Sequence, residues 1–176
     1  MIVDHFSRKV MGFAVFKTPP ASEDVRAFIG RAVAKTRAVP RYVVSDKGSQ
    51  FWCAGFKKWA KRKKIKLRYG AVGKYGSIAI IERFIRSMKA ECLGLILVPF
   101  RLAQMREELT CYVAWFHEHR THQGLAGNTP TETAAAIAEA RPHYETRGKH
   151  GVKLKLAVTH FEDRQHLPVV TLQKVA

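Results

Sequence analysis

Two acidic residues stand out by their setting: Asp46, which ends the apolar run Tyr42-Val43-Val44, and Glu82, which follows a glycine-rich stretch. They are separated by 35 intervening residues, and neither falls at an apolar core position. Carboxylates are hard oxygen donors suited to Mg2+ or Mn2+. Phosphodiester chemistry uses such ions to activate the attacking oxygen and to neutralise charge that builds up at phosphorus. A two-metal site needs a bridging carboxylate and so draws on more acids than a pair. Taken singly, each residue has a simpler reading. Asp46-Lys47-Gly48 is good turn chemistry, and Glu82 is placed to pair with Arg86 at i+4 on a solvated helix face.

The elements that position these residues read as follows. Val10 to Phe16 (VMGFAVF) is apolar, bounded by Ser7-Arg8-Lys9 and Pro19-Pro20, and predicts a buried strand. Ser22 reads as the N-cap of a helix with Glu23 and Asp24 in its first turn and Val25, Phe28, Ile29, Ala32 and Val33 at helical spacing, closed by Pro40. Tyr42 to Val44 is then a short strand whose carboxyl end carries Asp46. In open α/β sheets the chain turns away at that end and leaves a crevice for ligands. A second helix is predicted over residues 52–63, with Trp52, Phe56 and Trp59 on the stripe that packs it to the core. Ile65 to Tyr69 alternates as an edge strand, and Gly70 to Gly76 has loop composition.

Ser77 caps the next predicted helix, where Ile81, Phe84, Ile85, Met88 and Cys92 form one stripe and Glu82, Arg86 and Lys89 share a neighbouring face. A long amphipathic helix follows from Leu102 to Glu118, with Met105, Leu109, Tyr112, Val113 and Phe116 inward. His119 to Pro130 is turn-rich, Pro130 starts a short helix through Ala138, and Val152–Val158 and Pro168–Leu172 suit two short strands. The order of elements gives an α/β class with helices flanking a central sheet.

The charge points to a polyanionic partner. The 176 residues hold 31 Lys and Arg against 14 Asp and Glu, a net charge of +17. Each phosphate neutralised by such a surface releases condensed counterions, so nucleic acid binds strongly and with steep salt dependence. Residues 57–68 (KKWAKRKKIKLR) hold eight basic residues in twelve and no acid. Lys57, Lys58, Lys61, Arg62 and Lys64 are therefore candidates for contact with a phosphate backbone. Cys53, Cys92 and Cys111 are far apart and without a zinc spacing, which predicts free thiols in a reducing compartment. No stretch approaches the roughly 18 apolar residues of a membrane span, and no signal peptide is evident. A cytoplasmic protein is expected.

Four segments carry a resemblance to a known family. Val44 to Phe51 (VSDKGSQF) and Ser77 to Phe84 (SIAIIERF) resemble the second and third blocks of the DDE catalytic core of bacterial insertion-sequence transposases and retroviral integrases. Arg86 to Glu91 (RSMKAE) continues the third block. Asp4 to Val10 (DHFSRKV) resembles the second strand of that core, and Trp115 to Pro130 (WFHEHRTHQGLAGNTP) its closing segment. The resemblance spans residues 2–135 or so. It implies a ribonuclease H-like fold, with a mixed central sheet flanked by helices, and a triad of acids holding Mg2+ or Mn2+ while a hydroxyl attacks a DNA phosphodiester. Asp46 would be the second acid and Glu82 the third, with Lys89 and Arg86 near the DNA. The partners implied are transposon-end and target DNA, engaged by a homo-oligomer. Residues 1–135 would form the partial catalytic core and 136–176 a C-terminal appendage.

In that family the first aspartate lies on the strand before the DHFSRK-type strand. The resemblance therefore places it upstream of Met1, and the core is expected to lack its first strand and this chain to be inactive alone. Asp4 is a poorer candidate for the first acid, because its block matches the later strand. His117 stands where the family often has Asn, and Thr121 where it often has Pro; His117, His119 and His122 read as surface histidines near a turn. Two alternatives stay open: a catalytically dead DNA-binding remnant of the same core, and an unrelated basic RNA-binding protein.

Overall fold

The computed structural model describes residues 1–70, 78–95, 101–135 and 154–174. They form two compact units, Met1–Arg86 and Ser87–Ala176. The first opens with strands β1 (Ile2–Val3) and β2 (Val10–Gly12), paired antiparallel with Val3 opposite Val10. The Asp4–Lys9 segment, expected within a strand, is the turn between them. Asp4 N–H donates to the Lys9 carbonyl at 2.8 Å. The Asp4 carboxylate accepts both Ser7 N–H at 2.7 Å and Ser7 Oγ–H at 2.8 Å. Short polar side chains that satisfy nearby backbone donors in this way compete with a ladder and favour the turn. The strand expected over Val10–Phe16 accordingly makes ladder bonds only at its first three residues.

Helix α1 (Ser22–Thr36) buries Val25, Ile29 and Ala32, the expected stripe. Its N-cap is Ala21 rather than Ser22. Asp24 Oδ2 accepts the Ala21 N–H at 2.9 Å, so an acid in the first turn supplies the cap bond that the hydroxyl was expected to supply. Strand β3 (Tyr42–Ser45) runs parallel to β4 (Lys66–Tyr69), in register from Tyr42 opposite Lys66 to Ser45 opposite Tyr69. Parallel neighbours need a crossover. Here it is α2 (Ser49–Trp52) and α3 (Ala54–Arg62), where one helix was predicted. The break falls at Cys53, whose backbone is extended and whose Sγ accepts the Phe56 N–H at 3.4 Å. The core of this unit is Val25, Ile29, Phe56, Trp59, Ala60 and Ile65, with Val43, Phe51 and Leu67 packed on it.

Helix α4 (Ala79–Met88) carries Glu82 and passes into a π-helical turn, Lys89–Leu93. Phe84, Met88 and Cys92 are buried along it, as the stripe predicts. The expected cap at Ser77 and most of the glycine-rich loop lie outside the described residues. In the second unit, α5 (Leu102–Glu118) buries Leu109, Tyr112 and Phe116, and also Cys111 and Trp115. Thr129 caps α6 (Pro130–Ala134) by accepting the Glu132 N–H, while Glu132 accepts the Thr129 N–H. The rest of the predicted helix to Ala138 falls outside the described residues. Strands β5 (Leu154–His160) and β6 (Pro168–Lys174) form an antiparallel hairpin. It is tied to α5: Trp115 Nε1–H donates to the Pro168 carbonyl at 2.9 Å, and Arg164 pairs with Glu108 at 3.1 Å.

The class is therefore mixed α/β. Among the described residues its strands pair as three two-stranded ladders, one parallel and two antiparallel. No described helix is long and apolar enough to cross a membrane, and the three cysteines are free thiols.

Candidate active site and nucleic-acid interface

The β3–β4 ladder closes where Gly70 N–H donates to the Ser45 carbonyl at 2.9 Å, one residue before Asp46. Asp46 is exposed. Its Oδ1 accepts the Gly48 N–H at 2.9 Å, the turn bond its residue type predicts. Gly48 leaves the space in which that carboxylate sits. A Cβ there would lie 3.0 Å from Asp46 Oδ1 and under 3.0 Å from both polar atoms of the Gln50 amide.

Glu82 is exposed in the first turn of α4. The pair with Arg86 that spacing allows is not formed, and the described ion pairs lie elsewhere. The other acids of the described residues are largely spent. Glu23 meets Arg26, Glu91 meets Arg120, and Glu107, Glu108 and Glu162 meet Arg164. Asp4 and Glu118 accept from the hydroxyls of Ser7 and Thr131, while Asp24 and Glu132 cap helices. Among the described residues Asp46 makes one hydrogen bond, through Oδ1 to the Gly48 N–H, while Glu82 and Asp163, the latter in the turn of the second unit, make none to a described partner.

Exposed carboxylates are hard oxygen donors of the kind a divalent cation takes. Among the described residues no group of three or more His, Cys, Asp or Glu side chains comes together as a metal cage. Asp4, the poorer candidate for a further acid, commits its carboxylate to Ser7.

The basic segment presents its charge outward. Lys57, Lys58, Lys61, Arg62 and Lys64 are all exposed, and so are Arg86 and Lys89. Phe56 and Trp59 are buried beneath the helix, as the stripe predicts, but Trp52 is 47% exposed. Lys64 holds a position usually given to glycine. It follows the cap of α3 with φ 58°, its N–H donates to Lys61 O at 3.1 Å, and the Ile65 N–H reaches Ala60 O at 2.9 Å. This is a Schellman closure with a left-handed lysine at C′. A side chain in that conformation costs about 1 kcal/mol relative to glycine.

Two family models, each described as an integrase core domain, match residues 1–74 and 63–130. Together they span residues 1–130 without a gap. The chain belongs to the integrase core domain family. The first match contains Asp46 and the basic helix, the second Glu82 and the turn before α6. This integrase core is similar in fold to the catalytic core domain of the HTLV-2 integrase in complex with magnesium (trimeric form). The two share 16% identity at a TM-score of 0.55, over 74% of this chain and 80% of that one. It is also similar to a chain of the simian T-cell lymphotropic virus intasome in complex with the PP2A regulatory subunit B56 gamma. There the identity is 18% and the TM-score 0.58, over 89% of this chain and 53% of that one. No curated protein matches it. The expected ribonuclease H-like, mixed α/β class agrees with these neighbours, and membership places the integrase core among proteins of DNA integration and transposition.

Two features of the integrase core escape a reading of spacing. One is the exposure of Trp52. The other is a polar cluster in the second unit, where Arg120 clamps Glu91 and the buried Tyr112 donates its hydroxyl to Glu91 Oε2 at 2.9 Å. Burial, and then the charge of Glu91, push the Tyr112 phenol well above its ordinary range.

Proposed function

We propose that this integrase core performs divalent-metal-dependent strand transfer on DNA, with Asp46 and Glu82 as metal-holding carboxylates. One observation carries the reading: Asp46, just past the end of β3, and Glu82, in the first turn of α4, are both exposed and form no ion pair among the described residues, in a chain whose 31 Lys and Arg outnumber 14 Asp and Glu. Mg2+ or Mn2+ bound there would supply Lewis acidity at a scissile phosphate. The protein's own part is to orient that ion, to hold the DNA backbone on Lys57, Lys58, Lys61, Arg62 and Lys64, and to add Arg86 and Lys89 beside α4. The DNA would be transposon ends and target. A homo-oligomer is the working form, by analogy with relatives described as a trimeric form and as an intasome.

The test is a titration of the chain with Mn2+, followed by Mn2+-dependent nicking and joining of labelled duplex DNA. Saturable Mn2+ binding with metal-dependent strand transfer is expected on this reading, against the expectation, drawn from the family's first acid, that the chain alone is inactive. Absence of Mn2+ binding would sink the two-carboxylate site. Mn2+ binding with DNA binding but no strand transfer would favour the alternative, a DNA-binding remnant, for which the lack of a three-acid cluster among the described residues speaks.

The basic face makes its own predictions. Converting Lys57, Lys58, Lys61 and Arg62 together to Ala should lower the salt slope of duplex binding by up to about 3.6, at about 0.9 for each phosphate that is no longer neutralised. An unchanged slope would leave these side chains merely solvated. Lys64→Gly should stabilise the first unit by about 1 kcal/mol, by relieving the left-handed lysine, and at the same time weaken DNA binding. A denaturation midpoint and a binding isotherm on the same variant check both halves. Gain in stability without loss of binding would mean that the lysine is kept there for no reason connected with DNA.

A further inference from the structure

Resting on the DNA reading above, we infer that Trp52 is a stacking site for an unpaired DNA base, with Lys47 and Lys57 placed to hold the phosphates on either side of it. Of the three tryptophans, Trp59 and Trp115 are buried at 8% and 6% exposure, while Trp52 shows 47% of its surface. An exposed aromatic standing singly needs no partner by itself, so what surrounds the ring decides its role.

The surroundings identify the partner's chemistry. Lys57 Nζ lies 3.7 Å from the centre of the Trp52 ring and Lys47 Nζ 5.4 Å from it. Tyr69 packs edge-on at 4.7 Å, and its hydroxyl donates to the Phe51 carbonyl at 3.2 Å, which fixes the indole's position beside the end of β4. A flat apolar ring flanked by two ammonium groups matches a nucleobase with its neighbouring phosphates. A peptide side chain would use the ring but not the two cations, and a bare phosphate would use the cations but leave the ring wet. Lysine heads over an exposed ring are held weakly in water, so they can swing to phosphate oxygens as a base takes the face.

The location gives the site a purpose. Lys47 directly follows Asp46, and Tyr69 stands opposite Ser45, the residue before it. A base held on Trp52 is therefore held by the residues that frame the candidate catalytic carboxylate. Bases stack here only when unpaired, since a duplex buries their faces, so the site discriminates frayed or single-stranded DNA from intact duplex.

The experiment uses the full chain with three variants and fluorescence anisotropy at fixed salt, against a single-stranded DNA oligonucleotide and the matching blunt duplex. Trp52→Ala should lose about tenfold in affinity for the single strand while duplex affinity and the salt slope of binding stay unchanged, because an indole releases no counterion. Trp52→Phe should recover most of the loss, and Lys57→Ala should lower the salt slope instead. A 2-aminopurine in the single strand should be quenched by the wild type and by Trp52→Phe but not by Trp52→Ala, a signal that a purely structural role would not give. Equal single-strand affinity for wild type and Trp52→Ala, with DNA binding intact, would overturn the stacking site and leave the DNA reading standing. Failure of the wild type to bind either DNA would overturn both, and tighter binding of the matching single-stranded RNA would overturn the assignment to DNA.

Discussion

Asp46→Asn is expected to abolish strand transfer while leaving the fold untouched. The amide oxygen of Asn can still accept the Gly48 N–H that Asp46 Oδ1 accepts at 2.9 Å, so the turn after β3 keeps its bond. No ion pair is broken, because Asp46 makes none among the described residues. What disappears is one unit of negative charge and with it the hold on a divalent cation. Metal stabilisation of a phosphoryl transition state is worth several kcal/mol, so the rate should fall at least about a thousandfold. Glu82→Gln should behave the same way, since the exposed Glu82 side chain has no partner to lose among the described residues. A further consequence separates a metal ligand from a general loss of function. In the absence of metal, each variant should bind duplex DNA slightly tighter than wild type, because a carboxylate that repels phosphate has gone. The measurements are single-turnover joining of labelled DNA with Mn2+, a thermal midpoint, and a metal-free binding isotherm. Joining within tenfold of wild type in either variant would remove that residue from the site.

Much of this site is legible in the amino-acid order, and the remainder is hidden for definable reasons. Asp46 at the end of an apolar run, followed by Lys47-Gly48, predicts a strand end and a turn, and both are present. The stripe Leu109, Tyr112 and Phe116 predicts the buried face of α5, because a helix of that length keeps its period throughout. Periodicity fails at Trp52. Counting 52, 56 and 59 as one stripe presumes a continuous helix, and the extended backbone at Cys53 breaks it, so Phe56 and Trp59 go inward while Trp52 swings out. A thiol acting as an N-cap is a weak signal, which is why the break cannot be read beforehand. The Asp4–Lys9 turn is masked in a similar way: the pattern of apolar residues around it suits a strand, and only the pairing of the Asp4 carboxylate with Ser7 shows that the chain reverses. The closure at Lys64 is invisible for the opposite reason, since the usual glycine is absent from it. Glu91 and Arg120 are 29 positions apart in sequence, with nothing between them to announce a pair.

That pair supplies a large stability effect for a polar substitution in the second unit. Arg120 donates through Nε and a terminal nitrogen to both oxygens of Glu91, and its other terminal nitrogen approaches the His122 ring at 3.2 Å. Tyr112, which has no exposed surface, donates to the same carboxylate. Hydrogen bonding to Glu91 raises the Arg120 guanidinium above its ordinary value, against the opposing effect of burial. Arg120→Ala strands a half-buried carboxylate whose remaining donor is a neutral phenol. Breaking a fully buried pair from one side costs about 3–5 kcal/mol. Both side chains here keep roughly a quarter of their surface in water, at 25% and 29% exposure, so solvent screening should bring the loss to about 2 kcal/mol. Tyr112→Phe deletes one bond and should cost about 1 kcal/mol. The decisive comparison is Arg120→Met with Glu91→Leu. Removing both charges leaves no orphan, and the double variant should be more stable than Arg120→Ala by about 1 kcal/mol or more. Urea midpoints of the four proteins measure this, and a double variant no more stable than Arg120→Ala would mean that the cost comes from lost packing of the arginine stem over Phe116, whose ring centre lies 5.6 Å from the guanidinium carbon, rather than from a stranded charge.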